Sequence, residues 1–287
     1  PMGKLQWMVA LGLCSLQINV EAKGWDSLVE FVTGKERPHP PTIRILVVNE
    51  KDAVHLEVKG KYSLFDPYTD SYISSRFIGK SRDVQAMSDG LKWGEAFPGL
   101  YQLKIRPDEE TAFTEIDGMP YEGLVFLYDV GGRISVVDQL PIEEYLAGIF
   151  SEYPTDGVHP EVLAVMMIVA RTNAYFQAVH PRNTYWAVDA EKVGFKGKVA
   201  LSEPLEKALR VTRYMIMSRT GVYEGVTTPF PAVFDPILKG VPVKEAVRSK
   251  ISLQEAQKMA ETGAHAAQIL NKAFPGTSIM LLEYASS

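Results

Sequence analysis

Cysteine is almost absent from this sequence: Cys14 is the only one in 287 residues. A chain with one cysteine has no internal disulfide and no thiolate set for a metal. Its five histidines, His39, His55, His159, His180 and His265, include no i, i+4 pair and no H-E-x-x-H motif. The sequence therefore points to no protein-bound metal and to no cofactor. There is no G-x-S-x-G elbow and no phosphate-binding glycine loop, which argues against a serine hydrolase site and against a nucleotide ligand. Excess positive charge is missing too. A formal net charge of −5 leaves no basic face for nucleic acid or for an anionic membrane surface. A neutral, sugar-like ligand suits this balance better than a polyanion.

What is present starts with an export pattern. Gly3-Lys4 precedes the apolar run Leu5 to Leu16, and Val20-Glu21-Ala22 offers small residues where a signal peptidase reads. A basic residue, a short apolar core and a small-x-small end are the parts of a secretory signal. The core is too short to span a bilayer comfortably, and no later segment reads as a transmembrane helix. Leu13 is too bulky a neighbour for lipid attachment at Cys14. The expectation is a cleaved signal over 1–22, a linker over 23–41 ending in Pro38-His39-Pro40-Pro41, and one domain over 42–287. The mature protein would then sit in the periplasm or cell envelope.

The domain reads as α+β: a single domain with a buried central helix, β-rich flanking parts and two C-terminal helices. Thr42 to Glu50 and Ala53 to Lys59 alternate in polarity and predict a strand pair. Tyr62 to Phe65 is a further short strand, and 66–117 reads as strands with loops. Leu124 to Tyr128 and Arg133 to Val137 flank Asp129-Val130-Gly131-Gly132, a hairpin whose glycines supply positive φ. Leu140-Pro141-Ile142-Glu143-Glu144 opens a helix, with proline and carboxylates placed as a first turn favours. His159-Pro160-Glu161 opens a longer one, to about Val179, that is apolar nearly all round and so is expected at the centre. Another helix starts at Glu203-Pro204. Ser252 to Glu255 resembles a capping box before two helices broken at Gly263.

Few residues carry chemistry. Glu152 stands between an apolar helix end and Tyr153-Pro154. A carboxyl at a partly desolvated, aromatic helix exit can hold a proton and act as a general acid, though a solvated loop carboxylate fits the same residues. Arg171 follows the apolar run of the central helix, where it needs a partner; a salt bridge within the fold explains it as well as a ligand does. Glu143, Glu144 and Glu161 lie in helix first turns, where the helix dipole accounts for them.

Three stretches resemble the SpoIID/LytB (stage II sporulation protein D) family. Val136 to Ile149 resembles "vvN-x-LPLEDYLxGV", and Ser151-Glu152-Tyr153-Pro154 resembles its "SEMP". Pro160 to Tyr175 resembles "PxEALKAQAVAARTYA", and Leu253 to Thr277 resembles the closing helices and "YYPGT". The resemblance implies a lytic transglycosylase. Such an enzyme cuts the β-1,4 bond between N-acetylmuramic acid and N-acetylglucosamine and leaves a 1,6-anhydro end, using one carboxyl as acid and base. The catalytic glutamate would be Glu152; Arg171, Tyr153 and Tyr175 would hold the acid or the sugar. Peptide-stripped peptidoglycan strands would be the substrate, with an amidase as functional partner. Asn183 to Gly197 lacks the cysteines and histidines of the family's metal-binding stretch. The "SGGxT" and "GHGxGMSQ" segments are replaced near Leu238 to Pro242 and at Ala246 to Ser252. The alternative reading is a glycan-binding or scaffold protein of wall remodelling or division that has lost the chemistry.

Overall fold

The computed structural model describes residues 40–77, 81–181, 183–219, 229–234 and 246–282. The expected signal, most of the expected linker and Leu238 to Pro242 lie outside the described residues.

Two sheets supply most of the strands. The larger has seven strands in the order β13 (Val188–Asp189), β1 (Thr42–Lys51), β12 (Arg133–Pro141), β11 (Leu124–Val130), β8 (Gln102–Pro107), β3 (Tyr62–Asp66) and β4 (Ser71–Arg76). The smaller has six, ordered β10 (Met119–Tyr121), β9 (Phe113–Ile116), β2 (Ala53–Lys59), β5 (Ser81–Met87), β6 (Gly90–Trp93) and β7 (Glu95–Pro98). Alternation explains both. On β2, Val54, Leu56 and Val58 are buried while His55 faces solvent; on β11 and β12, Val125, Leu127, Ile134 and Val136 face the main core, while Phe126, Tyr128 and Val137 form a smaller cluster on the other face. The region 66–117 is therefore mostly strand, as its broken apolar pieces implied.

The expected pairing of the first two strands does not form. β1 pairs with β12, Thr42 opposite Pro141, whereas β2 pairs with β5 and β9 in the other sheet. The four residues Asn49 to Asp52 look like a hairpin turn in sequence, but Glu50 takes a positive φ of 47° and the chain steps between sheets there. Adjacent alternation identifies strands; it does not identify their partners. The second expected hairpin does form. β11 and β12 pair through a turn in which Gly131 and Gly132 have φ of 62° and 88°, and Asp129 Oδ1 accepts from Gly132 N at 2.7 Å.

Six helices occur among the described residues: α1 (Ile142–Phe150), α2 (Pro160–Val179), α3 (Ala190–Val193), α4 (Glu203–Val211), α5 (Leu253–Glu261) and α6 (Ala266–Ala273). α2 is the central helix. Its length and apolarity match a membrane span, but every residue from Val162 to Ala174 is buried within the fold. His159 caps it, Nδ1 accepting from Glu161 N at 3.2 Å, with Pro160 in the first turn. Ser252 and Glu255 form the expected reciprocal cap of α5. Two short strand pairs, β14 (Met215–Arg219) with β17 (Thr277–Leu281) and β15 (Ala232–Val233) with β16 (Val247–Arg248), complete the fold.

Three consecutive polar residues tie these parts to α2. Arg171, Thr172 and Asn173 are all buried. Thr172 Oγ1 accepts from Met217 N at 2.9 Å, which seats β14. Asn173 exchanges two bonds with Ala232, 2.5 and 2.6 Å, which seats β15. Each bond occupies a polar group that would otherwise be stranded in the core.

Candidate active site at the exit of helix α1

α1 buries Ile142, Tyr145, Leu146, Gly148 and Phe150, so its apolar side is fixed and its last turn stops at the surface. Tyr153 N closes the end by donating to Phe150 O at 2.9 Å. Glu152 projects just beyond, its side chain 76% exposed, with Lys196 Nζ 3.7 Å from its carboxylate. Tyr153 is half-buried; its ring meets Phe150 edge-on at 6.1 Å, and burial raises its hydroxyl pKa.

Lys196 arrives on a segment docked against α1. Phe195 stacks on Tyr145 at 5.9 Å and lies 6.2 Å from Tyr121. Position 148 must be glycine for this: a Cβ there would sit 2.3 Å from the Phe195 ring. Lys196 N then donates to Gly148 O at 3.2 Å, and Lys198 N to Pro120 O at 2.7 Å. Lys198 Nζ pairs with Glu122 at 2.7 Å.

Two carboxyls near this flank hold protons more tightly than usual. Glu144, in the first turn of α1, is pushed up to about 7 by desolvation and by the negative charge of Glu122, with Arg213 opposing. Asp138, on β12, is pushed up to about 8 because it is wholly buried; neither of its oxygens accepts a hydrogen bond among the described residues. The sequence alone assigns a chemical role to neither. For Glu144 the first-turn position gave a sufficient ordinary reason. Asp138 did carry a signal, an acid inside the apolar run Val136 to Leu140.

Of the residues expected at a site, Glu152 and Tyr153 are adjacent. Tyr175 is half-buried, packed on the core from α2. Arg171 is fully enclosed. Its guanidinium is spent on Glu143, through bonds of 2.6 and 3.0 Å, and on Met215 O at 3.1 Å. A sugar at the surface has no access to it, and the pairing that the sequence left open as an alternative is the one formed. Three clefts among the described residues, of about 640, 860 and 240 Å³, are lined by residues other than these four. Among the described residues no group of three or more His, Cys, Asp or Glu is placed to hold a metal ion.

The domain is thus α+β, with a sheathed central helix and a carboxylate at the exit of the helix before it. Residues 130–218, from the β11–β12 turn to β14, match the family described as SpoIID, Stage II sporulation protein. An uncharacterised protein of Chlamydia pneumoniae is 34% identical over 201 residues, covering 68% of this chain and 71% of its own. One from Chlamydia muridarum is 27% identical over 221 residues, 75% of each chain. A third, from Brachyspira hyodysenteriae, is 26% identical over 196 residues, 67% of this chain and 51% of its own. The chain belongs to the SpoIID family. That family is associated with peptidoglycan hydrolysis, and the role of this protein is cell-wall-related.

Proposed function

We propose that the protein is an exported peptidoglycan lytic transglycosylase with Glu152 as its single acid and base. The observation that carries this reading is the position of Glu152: free of the core, at the exit of α1, inside Ser151-Glu152-Tyr153-Pro154, with Tyr153 beside it as an aromatic rim. Glu152 in its neutral form donates a proton to the oxygen linking N-acetylmuramic acid to N-acetylglucosamine, and that bond breaks. The muramyl C6 hydroxyl then attacks C1 and returns its proton to the Glu152 carboxylate, so no water is consumed. Lys196, 3.7 Å away, steadies the carboxylate between the two transfers. Arg171 acts at a distance, as a positioning residue, by clamping Glu143 and hence α1 onto α2. Tyr175 contributes packing behind α2. Strands stripped of peptide by an amidase are the substrate, and the periplasm or envelope is the place of action, reached by the signal over 1–22.

A second reading, glycan binding without cutting, is favoured by one specific observation. A side chain 76% exposed and facing an ammonium group is poorly sheltered for a general acid. Incubation of the protein with denuded glycan strands, followed by mass analysis of the products, separates the two. Anhydromuramyl ends that disappear in Glu152→Gln support the first reading. Strand binding with no such ends in the wild type supports the second. If the ends persist in Glu152→Gln and vanish in Glu144→Gln, the acid is Glu144, which already holds a proton near neutrality.

A further inference from the structure

The cleft of about 640 Å³ lies on the outer face of the larger sheet, away from the core. Gln102, Tyr128 and Ser135 stand side by side there, one each on β8, β11 and β12. Tyr68 and Tyr101 rise from loops at one side, and Tyr185 and Trp186 at the other. Tyr185 meets Tyr128 edge-on at 5.0 Å. The fold makes little use of these rings. Tyr68 is 86% exposed, Tyr101 50% and Tyr185 49%. Their hydroxyls, and the Gln102 amide, have no hydrogen-bond partner among the described residues.

The polar groups of the cleft are fixed in place and half-used. Asp66 Oδ1 accepts from Tyr68 N at 2.9 Å, and Asp129 Oδ1 from Gly132 N at 2.7 Å. Each carboxylate keeps its second oxygen for another donor. No lysine or arginine lines the cleft, so an anionic ligand meets two carboxylates there. The occupant should therefore be neutral, rich in hydroxyl or amide donors, and flat and apolar on one face. A pyranose ring has that make-up: C–H groups on one face to lie on tyrosine, and hydroxyls at its edge for Gln102, Asp66 and Asp129. A proline-rich segment also lies well on aromatic rings, but it carries few donors for two carboxylates.

We infer that this tyrosine-lined cleft is a saccharide subsite for the neutral N-acetylglucosamine units of a glycan strand, separate from the exit of α1. The inference rests on the glycan reading above for the identity of the sugar. It gives the cleft the task of holding a strand while another part of it is acted on. The carboxylates of Asp66 and Asp129 turn away muramyl lactyl carboxylates, and so set which sugar enters.

The test is titration of the whole chain with triacetylchitotriose, followed by calorimetry and by the fluorescence of Trp186. Saturable binding is expected, weakened about tenfold or more in Tyr68→Ala and in Tyr185→Ala. Tyr68 is 86% exposed and Tyr185 49%, so their loss should change the melting temperature little, and least for Tyr68. Absence of chitotriose binding overturns the inference, as does binding indifferent to both substitutions. So does preferential binding of a proline-rich peptide at the same residues. The two readings fail separately. Anhydro product without chitotriose binding sinks the cleft alone, whereas Tyr68-dependent binding with no anhydro product leaves the cleft standing and removes the transglycosylase.

Discussion

Asp138→Asn should make the protein more stable at neutral pH and flatten the dependence of its stability on pH. The Asp138 carboxyl is fully enclosed, and neither oxygen accepts a hydrogen bond among the described residues. The Gly123 amide is the chief group opposing the upward displacement, though it falls short of full bonding geometry. Glu144 and Glu122 add to the displacement. The carboxyl therefore gives up its proton near 8 when folded, against an ordinary 3.8. Because the folded value is the higher one, the folded state binds more protons between these limits. Stability is greatest below about pH 4 and is lost as pH rises through 8. At about 1.4 kcal/mol per pH unit the whole interval is worth roughly 5–6 kcal/mol, of which roughly 4 kcal/mol is already lost at pH 7. Asparagine has nearly the same shape and no charge to lose. Its extra amide donor, if unpaired, costs about 1 kcal/mol, which leaves a net gain of about 3 kcal/mol at pH 7. Urea unfolding of both proteins at pH 4.5, 6 and 7.5 measures this. The reasoning is refuted if the variant is the less stable at pH 7.5, or if its advantage does not grow between the first pH and the last.

Two other substitutions probe the support of α1. Arg171→Ala leaves Glu143 without its partner under the α1–α2 contact and should cost about 3–5 kcal/mol, read as a lower urea midpoint; a loss under 1 kcal/mol would mean that the pair is dispensable. Gly148→Ala drives a methyl into the Phe195 ring. It should cost about 1–3 kcal/mol and open the chain near Lys196 to limited proteolysis, whereas an unchanged digest would show that the ring can move aside.

Local chemistry was readable wherever neighbours in the chain decide the structure. Pro160 after His159 marks the start of α2, and its unbroken apolar surface places it at the centre. Gly131-Gly132 gives a hairpin whose two strands are each other's nearest partners. Partners far apart in the chain were not readable. β1 and β2 alternate like a hairpin, yet β1 finds β12 about 90 residues later. Arg171 announced that it needed a counter-charge, and nothing in the sequence says that Glu143 supplies it. Asp138 is an acid within an apolar strand, but only the close approach of Gly123 and the β12 packing reveal that it is sealed. The aromatic cleft was the least legible feature. Tyr68, Tyr101, Tyr128 and Tyr185 are scattered over more than a hundred residues, and sheet order alone assembles them.

That same sheet order schedules assembly. All six strands of the smaller sheet are present once residue 121 has emerged, so it can close on its own. The strand that opens the larger one must wait for residues 133–141 and then 188–189 before either edge is satisfied. Loop-closure entropy must be met before such distant contacts repay it, which slows completion. The leading strand therefore spends the longest time of any with bare edges, and that is where a half-made chain is most open to a wrong partner.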